Sequence, residues 1–150
     1  MPERVPPDSV LLCPSAPPEW EGSRLIGIVG GTAAEPRVSN LAAAQPVTGD
    51  LLALAGPVTP TEVFRFAAPC RCTDCVHFAE RKCTLVERIV TLVPAVAEQL
   101  PFCPIRHECR WWEQEGSAAC RRCPQVVTDN YSPSAAMRNA ATPPAPHATR

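Results

Sequence analysis

The sequence predicts an α+β protein in which a small β segment precedes a helical, cysteine-rich module. Three observations carry that expectation. Eight of the nine cysteines fall between Cys70 and Cys123. The stretch ahead of them, about residues 23–69, contains no cysteine and reads as short strands. Beyond Cys83, apolar side chains recur at helical spacing. The domain plan is then a Pro-rich arm (1–22), a β-rich segment (23–69), a metal-binding module (70–128) and a second tail (129–150).

Each element follows from local chemistry. Residues 1–22 hold prolines at positions 2, 6, 7, 14, 17 and 18, which predicts an extended or disordered arm. Arg24-Leu25-Ile26-Gly27-Ile28-Val29 is a β-branched run closed by the turn signal Gly30-Gly31. A phosphate loop at Gly27–Gly31 is disfavoured, because the spacing departs from G-x-G-x-x-G and no helix follows. Thr48 to Ala55 suits one or two helical turns stopped by Gly56-Pro57, and Glu62 to Phe66 alternates like a half-buried strand.

In the cysteine-rich part, Thr84 and Glu87 have the spacing of a capping box. Leu85, Ile89, Val93, Val96 and Leu100 then form one apolar helical face, with Pro94 kinking or dividing the helix and Pro101 ending it. A second helix is expected from Ile105 to Glu115, stopped by Gly116. On it, Trp112 is assigned to the core beside Cys109 and Ile105, and Trp111 is left between the core and a partner contact. Residues from Ser132 onward, with their Ser, Ala, Thr, Asn and Pro, read as a disordered tail.

Composition limits what this chain can be. Four Phe, three Trp and one Tyr are few for filling a core, and 19 prolines leave much of the length hard to pack. An undersized core calls for metal or disulfides. The formal net charge is −1, and Arg65 to Cys123 carries nine basic and seven acidic residues, which gives no support to nucleic-acid binding. The first residues lack the basic and apolar regions of a secretory signal, and no run reaches the ~20 apolar residues of a membrane span. The expectation is a cytoplasmic protein, where clustered thiols point to metal or redox chemistry rather than disulfides.

The candidate ligands are Cys70, Cys72, Cys75, Cys83, Cys103, Cys109, Cys120 and Cys123. They read C-x-C-x2-C-x7-C, then C-x5-C-x10-C-x2-C after a mostly helical spacer. Eight thiols in two groups of four match two fully cysteine-ligated sites. Cys13, alone in the Pro-rich arm, is taken as the outsider. The C-x2-C pairs Cys72/Cys75 and Cys120/Cys123 let two thiolates converge without backbone strain.

An iron–sulfur cluster, one or two and of the 4Fe-4S type, is favoured on three grounds. Cys103 and Cys123 each precede proline, like the last cysteine of a bacterial ferredoxin run. Phe78, Phe102, Trp111 and Trp112 supply an apolar surround, and Arg71, Arg106, Arg110, Arg121 and Arg122 offset thiolate charge. The ferredoxin spacing itself is absent, as is the C-x3-C-x2-C triad of radical-SAM enzymes. Zinc is the rival, with His77 and His107 ranked behind the cysteines as ligands.

Cys103-Pro104-Ile105-Arg106, Cys109-Arg110-Trp111, Gln114-Glu115-Gly116 and Ala119-Cys120 with Cys123-Pro124 resemble a group of small bacterial Cys-rich proteins. Some of these carry a nitrogen-fixation label. The resemblance extends through Cys75-Val76-His77-Phe78 back to Gly27–Gly31, over about residues 24–128. It implies a bacterial cytosolic protein whose cysteines are the functional core. The cysteine grouping and Gly/Trp turn of WhiB-like regulators are not reproduced.

These readings converge on a cluster-binding accessory for electron transfer or redox sensing with a protein partner. The alternative is a zinc-stabilised interaction module. No nucleophile–base pair or substrate pocket can be named, which argues against a self-contained enzyme. A thioredoxin-like use of Cys120/Cys123 lacks its βαβ unit.

Overall fold

The computed structural model describes residues 10–32, 34–130 and 132–143 and has the expected α+β character. Four antiparallel strands form a sheet in the order β1-β4-β2-β3: β1 (Leu12–Ala16), β2 (Arg24–Gly31), β3 (Pro36–Pro46) and β4 (Phe64–Pro69). β4 lies between two neighbours, and Arg65, Phe66, Ala67 and Ala68 are all buried. Gly31 closes the β2–β3 hairpin at φ +74°, where a Cβ would lie 2.4 Å from the Glu35 carbonyl oxygen. Gly27 sits at a bulge in β2, and a Cβ there would meet Val38 Cγ1 at 2.9 Å. Both glycines therefore serve strand geometry, and no phosphate loop is formed.

Between β3 and β4 lie two short helices, α1 (Gly49–Ala53) and α2 (Pro60–Val63). Glu62 therefore belongs to α2 and the strand starts at Phe64, two residues later than the alternation suggested. The Thr59 amide donates to the Glu62 carboxylate at 2.9 Å, half of a capping box. The cysteine-rich part contains the small hairpin β5 (Phe78–Ala79) and β6 (Lys82–Cys83), then α3 (Thr84–Leu92), α4 (Arg110–Glu115) and α5 (Ser117–Cys120).

Several expectations are corrected. Cys83, not Thr84, is the N-cap of α3. Thr84 donates its hydroxyl to the His77 carbonyl, and Glu87 pairs with Lys82, so the capping box does not form. Pro94 ends α3 outright, because it forces Val93 into extended backbone (φ −110°, ψ 134°). Leu100 is consequently exposed rather than on the buried helix face. The second helix starts at Arg110, after a 3₁₀ turn at Arg106–Glu108, and stops at Gly116 with φ +65°. Trp111 is the buried tryptophan, at 2% exposure, and Trp112 is only half-buried.

Both tails hold structure that their composition hides. Residues 12–16 of the expected Pro-rich arm form β1, because Leu12, Pro14 and Ala16 alternate inward. In the expected C-terminal tail, α6 (Ala135–Ala141) is capped by the Ser134 hydroxyl, which accepts from the Met137 amide at 3.1 Å. Met137 and Ala140 are buried against α3, and Arg88 Nε donates to the Ala140 carbonyl at 2.8 Å. One apolar core joins Leu12, Ile26 and Ala67 of the sheet to Val86, Ile89, Trp111, Val126 and Met137. Residues 1–9 and 144–150 lie outside the described residues. Among the described residues no helix is long and apolar enough to cross a membrane.

Candidate metal centres

The fold gathers the thiols into two groups. Cys13, Cys70, Cys75 and Cys83 line a cavity of about 400 Å³. Cys103, Cys109, Cys120 and Cys123 line a second one of about 20 Å³. All nine cysteines are free thiols. Among the described residues no three His, Cys, Asp or Glu side chains converge closely enough to hold one ion as they stand.

The first group is assembled from distant parts of the chain. β1 pairs with β4 so that Cys13 lies opposite Ala68, and the Cys70 amide donates to the Leu11 carbonyl at 2.8 Å. The Cys70 sulfur accepts from the Cys72 amide, and the Cys75 sulfur from the His77 amide, each at 3.4 Å. Gln114 clamps Cys83 from both sides: the Cys83 amide donates to Oε1 at 2.8 Å, and Nε2 donates to the Cys83 carbonyl at 2.9 Å. The Cys83 sulfur then faces the Leu85 and Val86 amides that open α3.

Cys72 has a different setting from the other three. It sits at φ +49°, a left-handed conformation that costs a non-glycine residue. Its sulfur lies 4.0 Å from that of Cys70 and accepts from Arg110 NH2 at 3.7 Å. It is not among the residues lining the cavity.

The second group comes from one continuous stretch. Cys109 is the N-cap of α4, with its sulfur toward the Trp111 and Trp112 amides, and Cys103 faces the Ile105 amide. Cys120 closes α5, and Cys123 opens a 3₁₀ turn. The helical break at Gly116 turns α5 back so that these two thiols face the first two.

Burial disfavours the thiolate at several of these cysteines. It pushes the Cys13 thiol up to about 12, with added repulsion from Cys83, Cys70 and Cys75 as thiolates. Desolvation likewise raises Cys83, Cys103, Cys109 and Cys120, and Arg106 draws Cys120 back down. Cys13, Cys83, Cys103, Cys109 and Cys120 are thereby held as thiols at neutral pH, so their taking up a metal or cluster releases protons. His77 lines the first cavity, but Arg88 NH2 meets its Nδ1 at 2.7 Å. A guanidinium can only donate, so Nδ1 is the acceptor, and burial followed by the Arg88 charge lowers the His77 pKa. His107 is exposed and lines neither cavity.

Three arginines surround the thiols with unspent donors. Arg65 on β4 is buried; Nε donates to the Pro14 carbonyl at 2.7 Å and NH1 to the Cys123 carbonyl at 2.6 Å. Its guanidinium lies 5.4 Å from the Trp111 ring centre, and NH2 is buried with no partner. Arg106, 5.6 Å from the Trp112 ring, and Arg110, 5.3 Å from Phe78, each bury an unpartnered Nε. The ion pair found among the described residues, Lys82–Glu87, involves none of them. Buried cations without carboxylates are costly, and an anionic thiolate-held group would offset them. The residues present therefore fit such a group.

Of the other expected features, Arg71 stacks at 4.9 Å on Trp20, Arg121 is exposed, and Arg122 donates to the Val93 and Ala118 carbonyls. Phe102 is 62% exposed and shields nothing. Sequence reasoning missed Cys13, Arg65 and Gln114. Only Cys13 had a signal: Val10-Leu11-Leu12 is an apolar run inside the proline-rich arm. No family model matches the chain, and neither the curated proteins nor the solved structures contain a significant match.

Proposed function

We propose that the chain binds two iron–sulfur clusters and serves a partner protein in electron transfer or redox sensing. The observation that carries this reading is two cysteine-lined cavities flanked by the buried Arg65 and the half-buried Arg106 and Arg110, each of which buries a donor nitrogen without a partner. Cys103, Cys109, Cys120 and Cys123 would hold one cluster, and the cavity bearing Cys70, Cys75 and Cys83 the other. A bound cluster supplies one-electron redox chemistry, tuned by charge, hydrogen bonds to sulfur and exposure. The chain supplies the tuning: amides aimed at sulfur, Arg65, Arg106 and Arg110 as fixed positive charges, and Trp111 and Phe78 as apolar walls. Four cysteines at each cavity are the number that a fully cysteine-ligated cluster takes.

Iron and acid-labile sulfide analysis, with a visible spectrum, on full-length protein purified without oxygen tests this reading. The expected result is a brown protein with iron and sulfide in near-equal amounts. Colourless protein holding zinc and no sulfide would overturn it and leave a zinc-stapled interaction module.

A further inference from the structure

We infer that Cys13, and not Cys72, is the fourth ligand of the first centre, so that the N-terminal strand is stapled to the cysteine-rich module through metal. This rests on the reading above that the thiols hold a metal group. Three independent observations support the assignment. First, strand alternation splits β1: Leu12, Pro14 and Ala16 turn into the core, whereas Cys13 and Ser15 both line the first cavity. Second, the pairing of β1 with β4 brings Cys13 beside the strand end that carries Cys70. Third, Cys72 does not line the cavity: its sulfur, 4.0 Å from that of Cys70, accepts from Arg110 NH2 at 3.7 Å, and its backbone is left-handed.

The consequence is a coupling between loading and folding. Residues 13 and 70 belong to distant parts of the chain, so closing them through a metal removes a long-loop entropy from the unfolded state. Ligation by Cys13 also places β1 between the two centres. Leu12 bridges to Cys109 of the second group while its neighbour Cys13 faces the first. Cys72 becomes a thiol that donates or accepts hydrogen bonds beside the centre, accepting from Arg110, without holding it.

The test counts metal per chain in full-length wild type, Cys13→Ala, Cys13→Ser and Cys72→Ala, purified without oxygen, with low-temperature EPR of the reduced forms. Cys72→Ala is expected to match wild type in metal and spectrum. Cys13→Ala is expected to lose about half the metal while the signal of the second centre persists, which also shows that the chain has folded. If Cys13→Ala yields no folded protein, Cys13→Ser decides: an oxygen ligand should leave the metal bound with an altered signal from one centre, and a wild-type signal overturns the assignment. Full metal in Cys13→Ala, or half in Cys72→Ala, overturns it as well. Wild type without any metal sinks the underlying reading itself, whereas zinc in place of iron leaves the ligand count as informative as before.

Discussion

The two thiol groups solve the same problem in opposite ways. The second is local: Cys103, Cys109, Cys120 and Cys123 lie on a 3₁₀ turn, two short helices and the bends between them, and the Gly116 reversal suffices to bring them together. The first is long-range, drawing Cys13 from β1, Cys70 from the end of β4, Cys75 from the loop beyond and Cys83 from β6. A local site needs little of the sheet, while the first exists only once β1 has paired with β4. Their surroundings differ too. The first cavity is about 400 Å³, against about 20 Å³ for the second, which also has the buried Arg65 bonded to the Cys123 carbonyl. Trp111 lines both and separates them.

Three experiments would break or sharpen that contrast. The largest effect is expected from Cys109→Ala. Cys109 is buried, caps α4 and bridges to Leu12, so its loss should empty the second centre and halve the metal content. Metal analysis that finds a full complement would remove Cys109 from the ligand set, and loss of both centres would show that they are not independent.

A smaller effect concerns access. Because its cavity is larger, the first centre should be stripped by a chelator or by oxygen before the second, on the order of tenfold faster. Following the visible bleaching in time resolves this; a single phase removing both together contradicts it.

The smallest effect is expected from Arg65→Met. The guanidinium sits beside the second group, where its charge favours the thiolate of Cys103. Removing one positive charge makes reduction harder. The midpoint potential of the second centre should move negative by tens of millivolts, the scale of one charge ~10 Å away at an effective dielectric of ~20. The first centre should move less. Protein-film voltammetry reads both, and an unchanged or positive shift at the second centre would rule out this role for Arg65. The substitution also removes the hydrogen bonds to the Pro14 and Cys123 carbonyls, a loss to folding offset in part by removal of a buried cation without a carboxylate partner.

Much of the fold was legible because it follows from short-range chemistry. The run Arg24 to Val29 and its closing glycines form the β2 side of the hairpin, and Leu85, Ile89 and Val93 recur on the buried side of α3. Where local signals competed, the reading failed. Thr84 and Glu87 had the spacing of a capping box, but tertiary partners at His77 and Lys82 took both side chains. Trp111 and Trp112 are adjacent on one helix, and nothing local says which faces inward. The start of α4 at Arg110 rotates Trp111 onto Arg65. In α6, Met137 is one large apolar side chain among alanines, so composition concealed a helix that packs on α3.

The candidate site divides along the same line. The number of thiols, the grouping of Cys103 to Cys123 and the nearness of arginines are properties of the chain order, because ligands within a few residues must be neighbours in space. Membership of the first group is not such a property. Cys13 is far from Cys70 along the chain and Cys72 is two residues from it, yet strand pairing puts Cys13 in the cavity lining while Cys72, with its sulfur 4.0 Å from that of Cys70, lies outside that lining. Chain order alone set the number of thiols, the closeness of Cys103 to Cys123 and the arginines beside them. Only the tertiary structure decided which thiols line the first cavity, because register across a sheet is set by hydrogen bonds and core packing between segments that no local pattern links.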